Sequence, residues 1–520
     1  MKRPSQSVGI FLSCVAALFS GTVLIHILVG SIVPNVYMDE IFHVDQMQRY
    51  CAGNFTSWNA KITTPPGLYL TCLLLLKPVL WFLPSSSHIA CGTPVVLRYF
   101  NALFLTILFC LYFALFRLLS AGRPCSSVIL SVSALNLTLF PLCYFFSFLF
   151  YTDVLSLNSV LLCYLLQIRR HHHWSAVLEK FILAFSRQTN IIWVAFCAAL
   201  TIVDLAALHA EYFALVVKNT HDDSPRLDAK IASFKKNRQN PHVRSDFNRF
   251  AREKYDSSRD ASCENCVVDF YDKPLLLLRT LKEIYEKKFS LFVNFIITVL
   301  SRCFGYILVG FLAIIFVFYN GSIVLGDRSA HQGSLHLVQI FYCAGFIFCF
   351  GFPILSSFFK NVFNRLRKHG LFTRALFVSI LVIIYHFTMD HPYLLADNRH
   401  FTFYIWRRWF QYHKFMKYLL APAYLFALYA IIASLHVQSF IWRFFFVTCC
   451  ILVTVPNRLL EFRYFLIPYV MWRLHQTSQS KQVLLMEFCV YAVVNTVILY
   501  LFLFKPFRWA NESGLQRFMW

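Results

Sequence analysis

Apolar runs long enough to cross a bilayer recur along this chain, and they decide what it can fold into. The first extends from about residue 8 to residue 33. A helix of about 20 apolar residues spans the hydrocarbon core of a membrane. In lipid every backbone N–H and C=O must be satisfied within the chain, so such runs are helical. Over 520 residues, hydrophobic types make up 58% and charged types only 14%, which excludes a string of soluble domains. The fold expected is an all-α polytopic membrane protein.

Charge orients the runs. The formal net charge is +23, but the basic residues sit mostly at the ends of apolar runs. No soluble basic face is visible, so nucleic acid is not expected as a partner; the balance fits the positive-inside bias and a lipid bilayer carrying anionic head groups. Lys2 and Arg3 put the N-terminus in the cytosol, ahead of an uncleaved first span. If residues 68–83 crossed the membrane, Arg117, Arg123, Arg169 and Arg170 would all face the lumen. That apolar stretch is therefore expected to lie in or dip into the interface. Further spans are expected near 98–118, 126–148, 154–168, 174–186, 190–209, up to 319, 335–358, 371–389, 414–435, 440–455, 461–473 and 483–504. The total is about 13 helices. Three regions are expected: an N-terminal membrane module over 1–209, a polar cytosolic loop over 210–289, partly disordered, and a C-terminal membrane module over 290–520.

With this orientation the polar strings between spans fall on the luminal side. The first is Tyr37-Met-Asp39-Glu40-Ile-Phe-His43, at the mouth of the first span, followed by Thr63-Thr64-Pro65-Pro66-Gly67-Leu-Tyr69. Later come Phe185-Ser-Arg187-Gln188-Thr189-Asn190, Gly326-Asp327-Arg328-Ser-Ala-His331, the stretch from His391 through Asp397-Asn398-Arg399-His400, and Glu461-Phe-Arg463-Tyr464. Asp153 stands at another luminal helix end. Ionisable residues at membrane helix ends are functional candidates, usually with partners. Taken in order, these strings resemble the dolichyl-phosphate-glucose alpha-1,2-glucosyltransferase family, from near residue 35 to near residue 470, with the middle loop matching least.

The resemblance implies a GT-C type glycosyltransferase of the endoplasmic reticulum membrane with its active site facing the lumen. Dolichyl phosphate glucose would be the donor and a dolichyl-diphosphate-linked oligosaccharide the acceptor. The leaving group is already a stable phosphate anion, so no general acid is needed. The acceptor hydroxyl is a poor nucleophile and needs a base. A beta-linked donor giving an alpha product is one inverting displacement, unlike hydrolases that work with a carboxylate pair. Asp39 is the expected base, matching the acidic residue that GT-C enzymes carry in the first luminal loop, with Glu40 as the runner-up. Arg399 and His400 are expected on the donor phosphate, with Asp397 orienting Arg399 and His391 and Arg463 next in line. Arg187 and Gln188 are expected to line sugar or phosphate, and His43 to meet acceptor sugars or brace its loop. Asp153, Asp327, Arg328 and Asn398 complete the expected substrate-binding set. No cofactor and no metal is expected.

Other features carry less. Cys51 and Cys91 are expected to pair if their loop faces an oxidising lumen. Cys263 and Cys266 have the spacing of half a zinc site with no second pair. His171, His172 and His173 read as an interfacial cap. The chain holds no P-loop, HExxH or GxSxG string. Composition does not separate a glucose donor from dolichyl phosphate mannose. A transporter is disfavoured, because charges cluster at one face rather than at mid-membrane.

Overall fold

A computed structural model describes residues 4–81, 91–120, 126–169, 186–214, 270–326, 333–477, 479–510 and 514–520. The helices are α1 (Pro4–Ile32), α2 (Glu40–Cys51), α3 (Gly67–Trp81), α4 (Pro94–Leu119), α5 (Ser127–Thr138), α6 (Pro141–Phe146), α7 (Asp153–Ile168) and α8 (Asn190–Tyr212). They continue with α9 (Pro274–Lys287), α10 (Phe289–Asn320), α11 (Gln339–Phe350), α12 (Phe352–Leu355), α13 (Phe359–Lys368), α14 (Gly370–Phe387), α15 (Pro392–Ala396) and α16 (Phe401–Ile405). The last are α17 (Ala421–Ser434), α18 (Phe440–Thr454), α19 (Leu466–Leu474) and α20 (Lys481–Phe504). A two-residue antiparallel pair, β1 (Phe507–Arg508) with β2 (Leu515–Gln516), is the one sheet among the described residues. Proline opens α4, α6, α9 and α15, where its missing N–H costs no hydrogen bond. Ser480 caps α20 by accepting from Val483 N at 3.3 Å.

The protein is an all-α multi-span membrane protein. Among the described residues seven helices are long and apolar enough to cross a bilayer, and the bent pair α11–α12/α13 adds an eighth. That pair turns by 80° at Gly351. A Cβ on Gly351 would meet the Trp472 ring at 2.5 Å, so the bend needs glycine. Four shorter apolar helices fill the spaces between the long ones. One hydrophobic cluster runs from Leu18 to Met519. That cluster draws on described residues from both sides of the polar loop. Deep in the protein Glu487 of α20 accepts from Arg473 Nε and Nη2 of α19 at 2.6 and 2.8 Å and from Asn136 Nδ2 of α5 at 3.0 Å. Both charged side chains are sealed from solvent.

Contacts between chain-distant segments sort the helix ends into two faces. On one face Arg187 meets Asp153, the Leu325 N–H donates to the Thr63 carbonyl, and Tyr37 bonds the backbone of Arg517. On the opposite face the Tyr164 hydroxyl lies 2.8 Å from His475 Nε2, and Tyr271 donates to Asp204 at 2.9 Å. Arg365, Arg367 and Lys368 end α13. The chain enters α3 beside α2, where Tyr69 bonds His43, and is beside α2 again at Cys91, which is disulfide-bonded to Cys51 with a Cα–Cα distance of 6.0 Å. Residues 69 and 91 thus lie on one face.

Several expected features lie outside the described residues: the span near 174–186, His171 to His173, most of the 210–289 loop with Cys263 and Cys266, and Asp327 and Arg328. The described end of that loop, 270–289, is largely the helix α9 rather than an irregular segment.

Candidate active site

The site is built on the turn between α1 and α2. Met38 adopts a left-handed φ of 57° in the turn that leads into α2. The two adjacent carboxylates are thereby pointed apart. Asp39 keeps a side chain 47% exposed, and its backbone N–H donates to the Tyr151 hydroxyl at 3.1 Å. Glu40 is turned inward and fully buried. Its Oε1 accepts from Arg98 Nε at 2.7 Å and from the Phe150 N–H at 2.9 Å. Its Oε2 accepts from Arg98 Nη2 at 2.6 Å and the Tyr37 N–H at 3.1 Å. This corrects the sequence reading, which placed Glu40 among substrate-facing residues and as the alternative base. Its lone pairs are occupied by four donors, and it pins the loop that presents Asp39.

Around Asp39 stands an alternating cluster of charges. Arg463 points Nη2 at Asp39 (3.6 Å) and Nη1 at Asp153 (3.7 Å), while its Nε contacts Glu461. Arg187 Nη1 donates to the other oxygen of Asp153 at 2.6 Å. The guanidinium of Arg463 lies 5.3 Å from the Phe146 ring centre and 5.6 Å from that of Tyr151. Burial opposes charge on Arg463, but Glu461, Asp153 and Asp39 outweigh it and keep the guanidinium protonated. Burial likewise pushes Glu461 up, and Arg463, Arg187 and His400 together hold it below its ordinary range. Two cations thus sit among three carboxylates, and the one carboxylate open to solvent is Asp39.

His43 lies one helical turn behind Asp39. Its Nδ1 is 2.6 Å from the Tyr69 hydroxyl. Burial, more than any neighbouring charge, lowers its pKa to about 4, so the ring is neutral near pH 7. Gln188 Nε2 donates to the Thr63 carbonyl, tying 186–189 to the 59–64 turn. Gly326 docks on that same turn with φ 66°; a Cβ there would strike the Ala60 carbonyl and lie 2.6 Å from the Ile62 carbonyl oxygen.

The 397–400 loop forms an adjoining wall. Arg399 forks onto Asp397 through Nε (2.8 Å) and Nη2 (2.7 Å), gives Nη1 to Gln516 at 3.1 Å, and stacks 4.7 Å over Trp509. The fork that would meet a phosphate is closed on Asp397. Burial raises Asp397, but Arg399 and His400 overcome it and hold the carboxyl below its usual value. Asn398 accepts from Trp509 Nε1 at 2.7 Å. His400 Nδ1 lies 2.5 Å from the Trp520 carbonyl oxygen, and its Nε2 is 3.8 Å from Asp397. His391 is buried and caps α15 by accepting from the Tyr393 N–H at 3.2 Å. The loop is joined to Asp39 by residues 514–520: the Met519 N–H donates to the Arg399 carbonyl at 2.9 Å, and Arg517 exchanges two 2.8 Å hydrogen bonds with the Tyr37 hydroxyl.

Sequence reasoning missed Arg98, Arg517, and the Arg473–Glu487 pair. The signal for Arg98, Arg473 and Glu487 was their charge inside or at the rim of apolar runs. Nothing marked Arg517, whose guanidinium satisfies the Phe502 and Leu503 carbonyls at the end of α20.

Fold and site together define a polytopic helical membrane protein with an open carboxylate set among arginines at one membrane face. The DIE2/ALG10 family model matches residues 33–474, and the chain belongs to that family. It is 37% identical over 517 residues, 98% of each chain, to a human protein named Dol-P-Glc:Glc(2)Man(9)GlcNAc(2)-PP-Dol alpha-1,2-glucosyltransferase. An Arabidopsis thaliana protein of the same name is 35% identical, covering 95% of this chain and 96% of its own. A Drosophila melanogaster counterpart is 31% identical over 93% of both chains. No solved structure matches.

Proposed function

We propose that this chain is an inverting glucosyltransferase. It moves glucose from dolichyl phosphate glucose to the terminal glucose of the dolichyl-diphosphate-linked acceptor named for its relatives. Asp39 takes the proton from the acceptor hydroxyl as that oxygen bonds to C1 of glucose. The C1–O bond to phosphate breaks in the same displacement, and dolichyl phosphate leaves with the electron pair. The observation that carries this reading is the contrast within one dipeptide: Asp39 is open to the site while Glu40 is sealed on Arg98.

Arg463 and Arg187 meet the charge that develops on the departing phosphate, since both already stand within reach of the Asp39–Asp153 pair. Arg399 braces the adjoining wall, because its fork is closed on Asp397. His400 and Asn398 line that wall, His43 supports α2, and Asp327 and Arg328, which follow α10 in sequence, are assigned to substrate. The leaving group is stable and its charge is met by arginine, so the reaction calls for no cofactor. The protein resides in the endoplasmic reticulum membrane with the Asp39 face in the lumen. About thirteen membrane helices complete this reading. The Cys51–Cys91 disulfide and the basic end of α13 on the opposite face favour that orientation.

The test is purified full-length protein in nanodiscs, given dolichyl phosphate glucose and the lipid-linked acceptor, with linkage analysis of the product. A terminal alpha-1,2-linked glucose is expected. Asp39→Asn should lower turnover by about 10²–10⁴-fold without loss of folded protein. Full turnover in folded Asp39→Asn would remove Asp39 from the role of base.

A further inference from the structure

Residues 401–420 run along the same face as Asp39, since the Phe401 N–H donates to the Met519 carbonyl at 3.3 Å and Arg517 holds Tyr37. This stretch contains Arg407, Arg408, His413, Lys414 and Lys417, and no Asp or Glu. Elsewhere on this face Arg187, Arg399 and Arg463 each meet a carboxylate. Among the described residues, Arg407, Arg408, Lys414 and Lys417 meet none. Their neighbours are rings: Arg407 lies 5.6 Å from Phe403, Arg408 5.7 Å from Tyr404, Lys414 5.4 Å from Phe415 and Lys417 5.2 Å from Tyr418. Such a run of uncompensated cations opposes the positive-inside bias on a luminal face. Like charges held together without a counter-charge call for an anion.

The backbone and the surface beside these cations have matching features. Residues 406–410 form a π-helical turn, a rare geometry that recurs at functional sites. Beside it lies a groove of about 420 Å³ lined by Tyr404, Ile405, Arg408, Trp409, Phe410 and Leu420. Its walls are almost wholly apolar, and its one charge, Arg408, is exposed. An apolar trough with one guanidinium in its lining and further cations beside it suits a prenyl chain ending in phosphate.

Two lipids of the proposed reaction carry that chemistry, and geometry separates them. The donor phosphate is bonded to the carbon under attack, so it must sit beside Asp39, where Arg463 and Arg187 stand. The acceptor diphosphate lies at the opposite end of its glycan from the reacting hydroxyl. It also carries about twice the charge of a phosphodiester, which suits several cations rather than one. We propose that Arg407, Arg408 and Lys414, with the adjoining groove, dock the diphosphate head and first isoprene units of the lipid-linked acceptor. This rests on the glucosyltransferase reading above.

The experiment uses full-length protein in nanodiscs of neutral phosphatidylcholine. Arg407→Gln/Arg408→Gln is compared with wild type and with Arg408→Lys, which keeps the charge. Rates are measured with donor and acceptor varied separately, and with a phosphate-free oligosaccharide as acceptor. Losing charge-assisted hydrogen bonds at an exposed site should raise the acceptor KM about tenfold. The kcat, the donor KM and the rate on phosphate-free acceptor should stay within about twofold, and Arg408→Lys should fall between. An unchanged acceptor KM would mean an interfacial anchor only. A raised donor KM would assign the cluster to the donor, and an equal loss on phosphate-free acceptor would mean a structural role; each overturns the proposal. Binding of glycan-free polyprenyl diphosphate, against polyprenyl monophosphate as control, is measured alongside by native mass spectrometry. Wild type lacking any transfer would sink the glucosyltransferase reading, whereas equal diphosphate binding by wild type and double variant would sink the docking site alone.

Discussion

Replacing Glu40 with Gln should damage the fold rather than the chemistry, and the structure sets the size of the effect. The carboxylate accepts four hydrogen bonds, two from Arg98 and two from backbone N–H groups of Phe150 and Tyr37. A carboxamide keeps one acceptor oxygen and puts an NH2 group where the other stood. Whichever way it is oriented, that NH2 faces a guanidinium N–H and a backbone N–H, so two buried donors lose their acceptor. Arg98 is itself buried, and it would retain the Val33 and Asn35 carbonyls and one of its two bonds to residue 40. Breaking a buried pair from one side costs about 3–5 kcal/mol. On thermal melting this is a drop on the order of 5–10 °C. The assay is thermal stability of detergent-solubilised protein, read by size-exclusion fluorescence, beside the turnover of the folded fraction. Asp39→Asn should melt like wild type and be inactive. Glu40→Gln should melt early and, where folded, retain activity within about tenfold. Wild-type melting of Glu40→Gln would refute the idea that this carboxylate is the loop's anchor. Wild-type melting combined with lost turnover would make Glu40 the base.

Three further outcomes are expected. The imidazole of His43 titrates at about 4 in the folded chain against 6.5 when free, so between those values the unfolded chain binds more protons. Stability is then complete above about pH 6.5 and lost as pH falls toward 4, and His43→Gln should melt with a shallower pH dependence over that window; equal slopes would deny the burial of a neutral ring. Glu487→Gln should lower folded yield through loss of about 3–5 kcal/mol while leaving the KM of both substrates unchanged, and Arg473→Met/Glu487→Leu should recover much of it; a single variant with wild-type stability would contradict the buried pair. Arg463→Lys keeps the charge but loses the planar fork that bridges Asp39, Asp153 and Glu461, so turnover should fall about 10²-fold or more; turnover near that of wild type would remove Arg463 from the phosphate site.

The all-α, multi-span class was readable, because span-length apolar runs in lipid have one solution for their backbone. The site was readable only as strings. Asp39, Arg187 and Arg463 belong to three strings far apart in sequence, and the structure sets them around Asp153. The adjacent pair Asp39-Glu40 shows where the reading stopped. Composition and position give both residues the same standing; what separates them is Arg98, 58 positions away from Glu40. Arg399 is a similar case. Its charge marked it for a phosphate, but Asp397, two residues before it, and Gln516 hold its donors.

The sequence by itself determined the solvent, the secondary structure and the face on which chemistry gathers, since hydropathy and charge bias act residue by residue and need no knowledge of neighbours. Tertiary structure alone decided which carboxylate is open and which arginines are left for substrate. Exposure and charge pairing depend on what packs against a side chain, and here the partners come from helices hundreds of residues apart.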